Sequence, residues 1–216
     1  MRIIALSDIH GAYRRANEIL ARESSADVVV ISGDLTTNGS AHEAEEAIKQ
    51  FQSNSKLVLV VLGNMDPPAL ERTMENLGTS INSKGIVLKE AGFFGVSGSP
   101  FTPMHTPYEI PEDEIARRAE QGWRDVASAR WKIFVPHAPP RDTKLDKIFL
   151  GKHVGSTAVR ALIEERQPDV VICGHIHESR GIDTIGRTQI VNCGQASKGE
   201  YVLIDLGDEV NIEVRG

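Results

Sequence analysis

Long hydrophobic runs are missing from this 216-residue chain. The stretch Leu57–Leu62 is among the longest, far short of the roughly 20 apolar residues that a membrane-spanning helix needs. The opening MRIIALSDIHG turns polar too early for a secretory signal, which requires a longer apolar segment and a small-residue cleavage site. A cytoplasmic protein that does not engage a membrane is the expectation. Cysteine is scarce: Cys173 and Cys193 each end an apolar run and read as buried free thiols. With no CxxC, a zinc-thiolate site is disfavoured. Basic excess is also lacking. A formal charge of −6 argues against broad binding to nucleic acid, and 5% aromatic residues leave little surface on which bases could stack. A small phosphorylated substrate remains compatible with that charge, because bound divalent cations would invert it locally.

Hydrophobic residues make up 40% of the chain, enough for a sizeable core. Short apolar runs at Ile3–Leu6, Val28–Ile31, Leu57–Leu62, Ile133–Val135 and Val170–Cys173 read as strands buried on both faces. Helical patterns lie between them. Ser40 and Glu43 suggest a capping box ahead of Ala44, Ala47, Ile48 and Phe51. Pro67 and Pro68 suggest the first turn of a helix ending near Gly78. Residues 111–129 and 156–166 read as two more, the last capped by Ser156. Strand–helix alternation implies parallel pairing. Residues 86–97 and 182–215 look like short antiparallel strands joined by turns such as Leu206-Gly207-Asp208. One α/β domain over residues 1–216, with two sheets and outer helices, fits both halves. The proline-rich stretch 98–110 reads as a loop over a site.

Each long strand ends in a polar cluster: Asp8-Ile9-His10, Gly33-Asp34, Gly63-Asn64-Met65-Asp66, His137 and Gly174-His175-Ile176-His177. Ligands of open α/β sheets bind at the carboxyl ends of strands, so five such clusters can converge. Residues i and i+2 of an extended chain point to one side, which would aim Asp8 with His10, and His175 with His177, at one place. The resulting donors are Asp8, Asp34, Asn64, His10, His137, His175 and His177. That nitrogen and oxygen set suits Mn²⁺, Fe, Zn²⁺, Ni²⁺ or Co²⁺ and exceeds what one ion needs. Asp66 admits two roles, an N-cap before Pro67 or a part of the site.

In this order, DxH, GD, GNxD, H and GHxH resemble the calcineurin-like metallophosphoesterase superfamily, and PHAPPRDTKLDK, GKHVGS and GHIHESRG resemble its small prokaryotic members. The resemblance implies a two-sheet mixed β sandwich flanked by helices, in four layers. It implies two divalent metal ions, Mn²⁺ favoured. Asp8, His10 and His177 would hold one, and Asn64, His137 and His175 the other, with Asp34 bridging. It also implies in-line attack on a phosphate ester, phosphodiesters favoured, by a hydroxide shared between the ions, with Asp34, Asn64 and His175 closest to the chemistry. Oligomeric state is left open between monomer and homodimer.

One position departs from the family's pattern. Met65 stands where many members carry a histidine that protonates the leaving oxygen, and a thioether donates no proton. This suggests a preference for activated esters, unless His105 in the overlying loop supplies the proton. His105, Lys144 and His153 are candidate substrate contacts, with Arg141 and Lys152 nearby, whereas His42 reads as a solvated helix residue. The alternative from another class is a binding module that keeps the fold and has lost catalysis. A complete set of seven donors argues against it.

Overall fold

The computed structural model describes residues 1–55 and 57–216, with Leu150 described by its backbone alone. Strands β1 (Arg2–Leu6), β2 (Val28–Ser32) and β3 (Val58–Val61) alternate with helices α1 (Tyr13–Arg22), α2 (Ala41–Asn54) and α3 (Leu70–Asn76). Then come β4 (Gly85–Leu88), β5 (Ala91–Val96), α4 (Glu112–Val126), β6 (Trp131–Pro136), α5 (Thr157–Arg166) and β7 (Val170–Cys173). Four strands finish the chain: β8 (Gly181–Ile185), β9 (Thr188–Asn192), β10 (Tyr201–Leu206) and β11 (Val210–Arg215). One sheet has the order β11-β10-β1-β2-β3 and the other β4-β5-β6-β7-β9-β8.

The continuous apolar strands have a simple cause. In β1, Ile3 and Ala5 face the space between the sheets, where they join Val28, Val30, Phe93, Ile133, Val135 and Ile172. Ile4 and Leu6 face outward and pack with residues of α1 and α2, including Leu20, Ile48 and Phe51. The second sheet repeats this, with Phe94, Phe134 and Val171 in the outward layer beside Ile115, Ala119 and Ile163 of α4 and α5. A strand covered on both faces needs apolar side chains at every position. The result is the expected four layers, helix, sheet, sheet, helix. Both cysteines are buried and free, and they lie on opposite faces of the second sheet.

Several local expectations change. Helix α1 carries buried residues only at Ala16, Ile19 and Leu20, a stripe too thin to stand out among its charges. The box at α2 is half made: Ser40 Oγ accepts from the Glu43 N–H, but the Glu43 carboxylate accepts from Tyr13 Oη instead of turning back. Pro67 and Pro68 precede α3 instead of opening it. Ser156 caps α5 as expected. Neither 86–97 nor 182–215 is purely antiparallel, because β5 pairs parallel with β6 and β9 parallel with β7. Strands β1, β2 and β3 run parallel, as do β5, β6 and β7, so their carboxyl ends gather along one edge of the sandwich.

The outward layer of the second sheet has an aromatic centre. Phe134 stacks on Phe94 at 4.7 Å, and Trp123 of α4 meets Phe94 edge-on at 5.8 Å. Phe134→Ala is expected to cost about 3–5 kcal/mol, as cavities in packed cores do, and to lower the urea midpoint at unchanged slope. A loss below about 1 kcal/mol would show that this layer is not close-packed.

Candidate metal centre

The five polar clusters meet where the parallel strands end, although not by strand alternation. The chain has already left β1 when it reaches Asp8. Asp8 (φ 54°) and His10 (φ 48°) both adopt left-handed backbone, while Ile9 between them is buried in the core. Asp34 (φ 49°) and His175 (φ 67°) do the same after β2 and β7, and His177 sits in a short 3₁₀ turn. Such backbone costs of order 1–3 kcal/mol at a non-glycine residue and persists only where surrounding contacts enforce it. Four of the seven expected donors share it, which marks the turns as built for aiming side chains.

The donors come together. Asp8, His10 and His177 offer ligand atoms that all lie within 4.8 Å of one another, and so do Asp8, Asp34 and His137. Asp34 Oδ2 stands 3.7 Å from His10 Nε2 and 3.6 Å from His137 Nε2, midway between the two groups. Asn64 Oδ1 is 2.9 Å from His137 Nε2. The ring of His175 lies 5.0 Å from that of His137, and its backbone N–H donates to Asp8 Oδ2 at 3.1 Å. Asp8 therefore belongs to both clusters, a sharing that the expected assignment gave to Asp34 alone.

Surrounding groups fix the orientation of each donor. His10 Nδ1 pairs with Thr37 Oγ1 at 3.0 Å and His137 Nδ1 with the Ser32 carbonyl at 2.8 Å, leaving both Nε2 atoms facing inward. The Asn64 amide donates to Thr106 Oγ1, and the Tyr108 N–H to the Asn64 carbonyl, so the 98–110 loop does lean on the site. Within that loop Glu109 accepts from Thr102 and from the side chain and N–H of Thr106. Asp66 is no helix cap. Buried, it accepts from the N–H groups of Leu35, Thr36 and Gly63 and from Thr36 Oγ1, stitching the Asp34 turn to the Asn64 turn. Two glycines allow the close approach. A side chain at Gly63 would run into Asp34 Oδ1, and one at Gly174 into Ser7 Oγ and Asp8 Oδ2.

Electrostatics fit a cation. Asp8 and Asp34 are both buried, and among the described residues their ion-pair partners are imidazoles, not Lys or Arg. Burial, with the charges of Asp8 and Asp66, pushes Asp34 up to about 7 despite His137. Burial alone would also raise Asp8, but the hydrogen bond from His177 and the charges of His137 and His177 hold it below the usual carboxylate range. Burial lowers His10, and burial with His137 takes His175 down to about 3, so both stay neutral with a lone pair to offer. His177 is raised by its hydrogen bond to Asp8. Two buried carboxylates among imidazole nitrogens are a donor set suited to a divalent transition metal.

Beside Asn64 and His175 opens a cavity of about 710 Å³, the size of a small-molecule site. Phe101, Met104, Arg141, Lys152 and His153 line it. His105 is exposed and outside the lining. Lys144 is exposed too, its N–H bonded to Asp183 on β8, and does not reach the cavity. Of the three expected substrate contacts, His153 alone faces it. Thr37, Thr106 and Asp146 escaped the sequence reading as supports of the site, whereas Asp66 was open between a cap and a part of the site. Only the Asp66 position, inside GNMD, carried a signal.

The titration of these groups sets a metal affinity that depends on pH. Raised above its ordinary 3.8, Asp34 stabilises the metal-free fold at low pH and loses that contribution as pH rises toward about 7. A cation must displace this proton, and the one on His177. Affinity for Mn²⁺ is expected to rise about tenfold or more per pH unit from pH 5 to 7, with proton release. Calorimetry in two buffers of different ionisation heat measures both. A flat profile would contradict the site.

Similarities to known proteins agree with this geometry. The model of the calcineurin-like phosphoesterase family matches residues 1–179. An uncharacterized protein of Methanocaldococcus jannaschii, MJ1162, is 35% identical over 196 residues, which cover 89% of this chain and 87% of that protein. Among solved structures, TT1561 of Thermus thermophilus superposes with a TM-score of 0.76 at 21% identity, covering 99% of this chain and 98% of the other. The phosphopantetheinyl hydrolase of Mycobacterium tuberculosis superposes at 0.61 and 14% identity, covering 90% and 89%. The last two likenesses concern the fold. With the family's model spanning most of its length and its donors gathered at one edge, the chain belongs to the calcineurin-like phosphoesterases.

Proposed function

We propose that the protein hydrolyses small phosphodiesters with two divalent cations. The observation that carries this reading is the midway position of Asp34 Oδ2, 3.7 Å from His10 Nε2 and 3.6 Å from His137 Nε2. Asp8, His10 and His177 would hold one cation and Asn64, His137 and His175 the other, with Asp34 shared. When bound, such cations supply positive charge to phosphoryl oxygens and acidify water near neutral pH. The chain's own contribution is positioning. The Ser32 carbonyl accepts from His137 Nδ1 and so holds that ring in the tautomer whose Nε2 lone pair faces the site, and Thr37 Oγ1 holds the His10 ring with its Nε2 inward. Thr106 turns the Asn64 amide so that its oxygen points inward.

Diesters are favoured over monoesters by charge and space. The cavity sets Arg141 and Lys152 against Glu112 and Glu178, a balance better suited to one negative charge than to two. Its apolar wall, with Phe101 and Met104, leaves room for a second substituent.

Removing the shared carboxylate is the sharpest genetic test. Asp34→Asn is expected to reduce turnover of bis(p-nitrophenyl) phosphate at least about 100-fold, and a chelator to abolish it. Mn²⁺, Ni²⁺ or Co²⁺ should restore activity better than Mg²⁺, which favours oxygen donors and keeps its waters. Near-normal turnover by the variant would contradict the shared role.

Substrate preference is a separate measurement. The diester is expected to exceed p-nitrophenyl phosphate in kcat/KM by about tenfold, a difference of about 1.4 kcal/mol in transition-state binding. A faster monoester would overturn the charge argument while leaving the metal site intact.

A further inference from the structure

The loop between β6 and α5 contains a second arrangement that the metal centre does not use. Asp146 is fully buried there and accepts from the N–H groups of Asp142, Thr143 and Gly155. Its Oδ1 also lies 2.6 Å from Nδ1 of His153. Burial alone would raise this carboxyl, but these hydrogen bonds, that of His153 first, hold it below the usual carboxylate range, so it remains an anion. A carboxylate on Nδ1 keeps a proton on that nitrogen, which fixes the ring's tautomer and turns Nε2 away from Asp146. Among the described residues Nε2 of His153 has no partner, and the ring lines the same cavity as the expected ligands Asn64 and His175.

Several other groups around that cavity are poorly suited to handing over a proton. Glu112 is engaged by Ser156 Oγ and by the N–H groups of Thr157 and Ala158 at the start of α5. Arg141 and Lys152 are the cavity's basic side chains, suited to holding an anion. Met65 has none to give, and His105 lies outside. The loop itself does not depend on the imidazole, because three backbone N–H groups already bind Asp146.

We propose that His153, held by Asp146, is the general acid of this enzyme, delivering its Nε2 proton to the leaving oxygen and extending the substrate class to esters of unactivated alcohols. This rests on the phosphoesterase reading above. The bond from phosphorus to the leaving oxygen breaks with its electron pair on that oxygen. The oxygen takes the proton from Nε2 and departs as an alcohol. The oxygen of water forms the new bond to phosphorus and releases one proton to solvent, from which His153 is reprotonated. Ester and water thus become phosphate product and alcohol.

Three substrates test it: ethyl p-nitrophenyl phosphate, ethyl phenyl phosphate and diethyl phosphate, with Mn²⁺-loaded wild type, His153→Gln and His153→Ala. His153→Gln is expected to lose about 10²–10⁴-fold in kcat on diethyl phosphate and far less on the nitrophenyl ester. Added imidazole should restore part of the alkyl activity of His153→Ala. A readout free of metal and turnover is ¹⁵N NMR of the metal-free protein, where the neutral His153 ring should carry its proton on Nδ1. Equal losses on all three esters, no loss on any, or a neutral ring protonated on Nε2 would overturn the proposal. If wild type cleaves the esters and only the leaving-group pattern fails, the general-acid role alone falls. If wild type cleaves none, the phosphoesterase reading falls and takes this one with it.

Discussion

Asp8 and Asp34 place two carboxylates together in the interior, where their ion-pair partners among the described residues are imidazoles, not Lys or Arg. Burying charge in this way is costly unless a counter-charge is supplied. The cost shows in Asp34, which holds a proton up to about pH 7 in the metal-free chain. Most of the site's construction follows from this constraint. The two carboxylates lie beneath a ring of imidazole nitrogens, and that ring is what a divalent cation would complete.

The fold supplies the rigidity for such an arrangement. Two parallel strand triplets, one in each sheet, end along the same edge and are covered on both faces by close-packed apolar layers. Loops leaving those ends carry left-handed residues and a buried clasp, Asp66, that joins two of them. Each support acts on a neighbour of the chemistry. Thr37 orients His10, the Ser32 carbonyl orients His137, Thr106 orients Asn64, and Asp146 orients His153. The donors are thereby held in place before any ligand arrives, which spares the reacting state the cost of ordering them.

Much of this was legible in the sequence because strands buried on both faces leave an unmistakable apolar run, and because polar residues at their ends had few other reasons to be there. The seven donors were legible for that reason, and the structure brings them together. The route differed, since Asp8 and His10 converge through left-handed turns and not through the pleat of a strand. Helix α1 was obscured by its charge, and the parallel pairing of β5 and β9 depends on neighbours distant in sequence. Asp66 admitted a cap because Pro67 follows it, yet most of its partners lie on the Leu35–Thr36 turn some thirty residues away. The pairing of His153 with Asp146 had no signal at all. No regular helix or strand spans the two residues, and only the folded loop joins them.

The central claim is that seven side chains form one two-ion hydrolytic site. The most direct measurement is a titration of metal-free protein with Mn²⁺, following bound metal by mass spectrometry and hydrolysis of bis(p-nitrophenyl) phosphate on the same samples. The account expects activity to stay near background at one equivalent and to reach its plateau as the second ion binds. Full activity at one equivalent, or two ions bound with no hydrolysis, would contradict it.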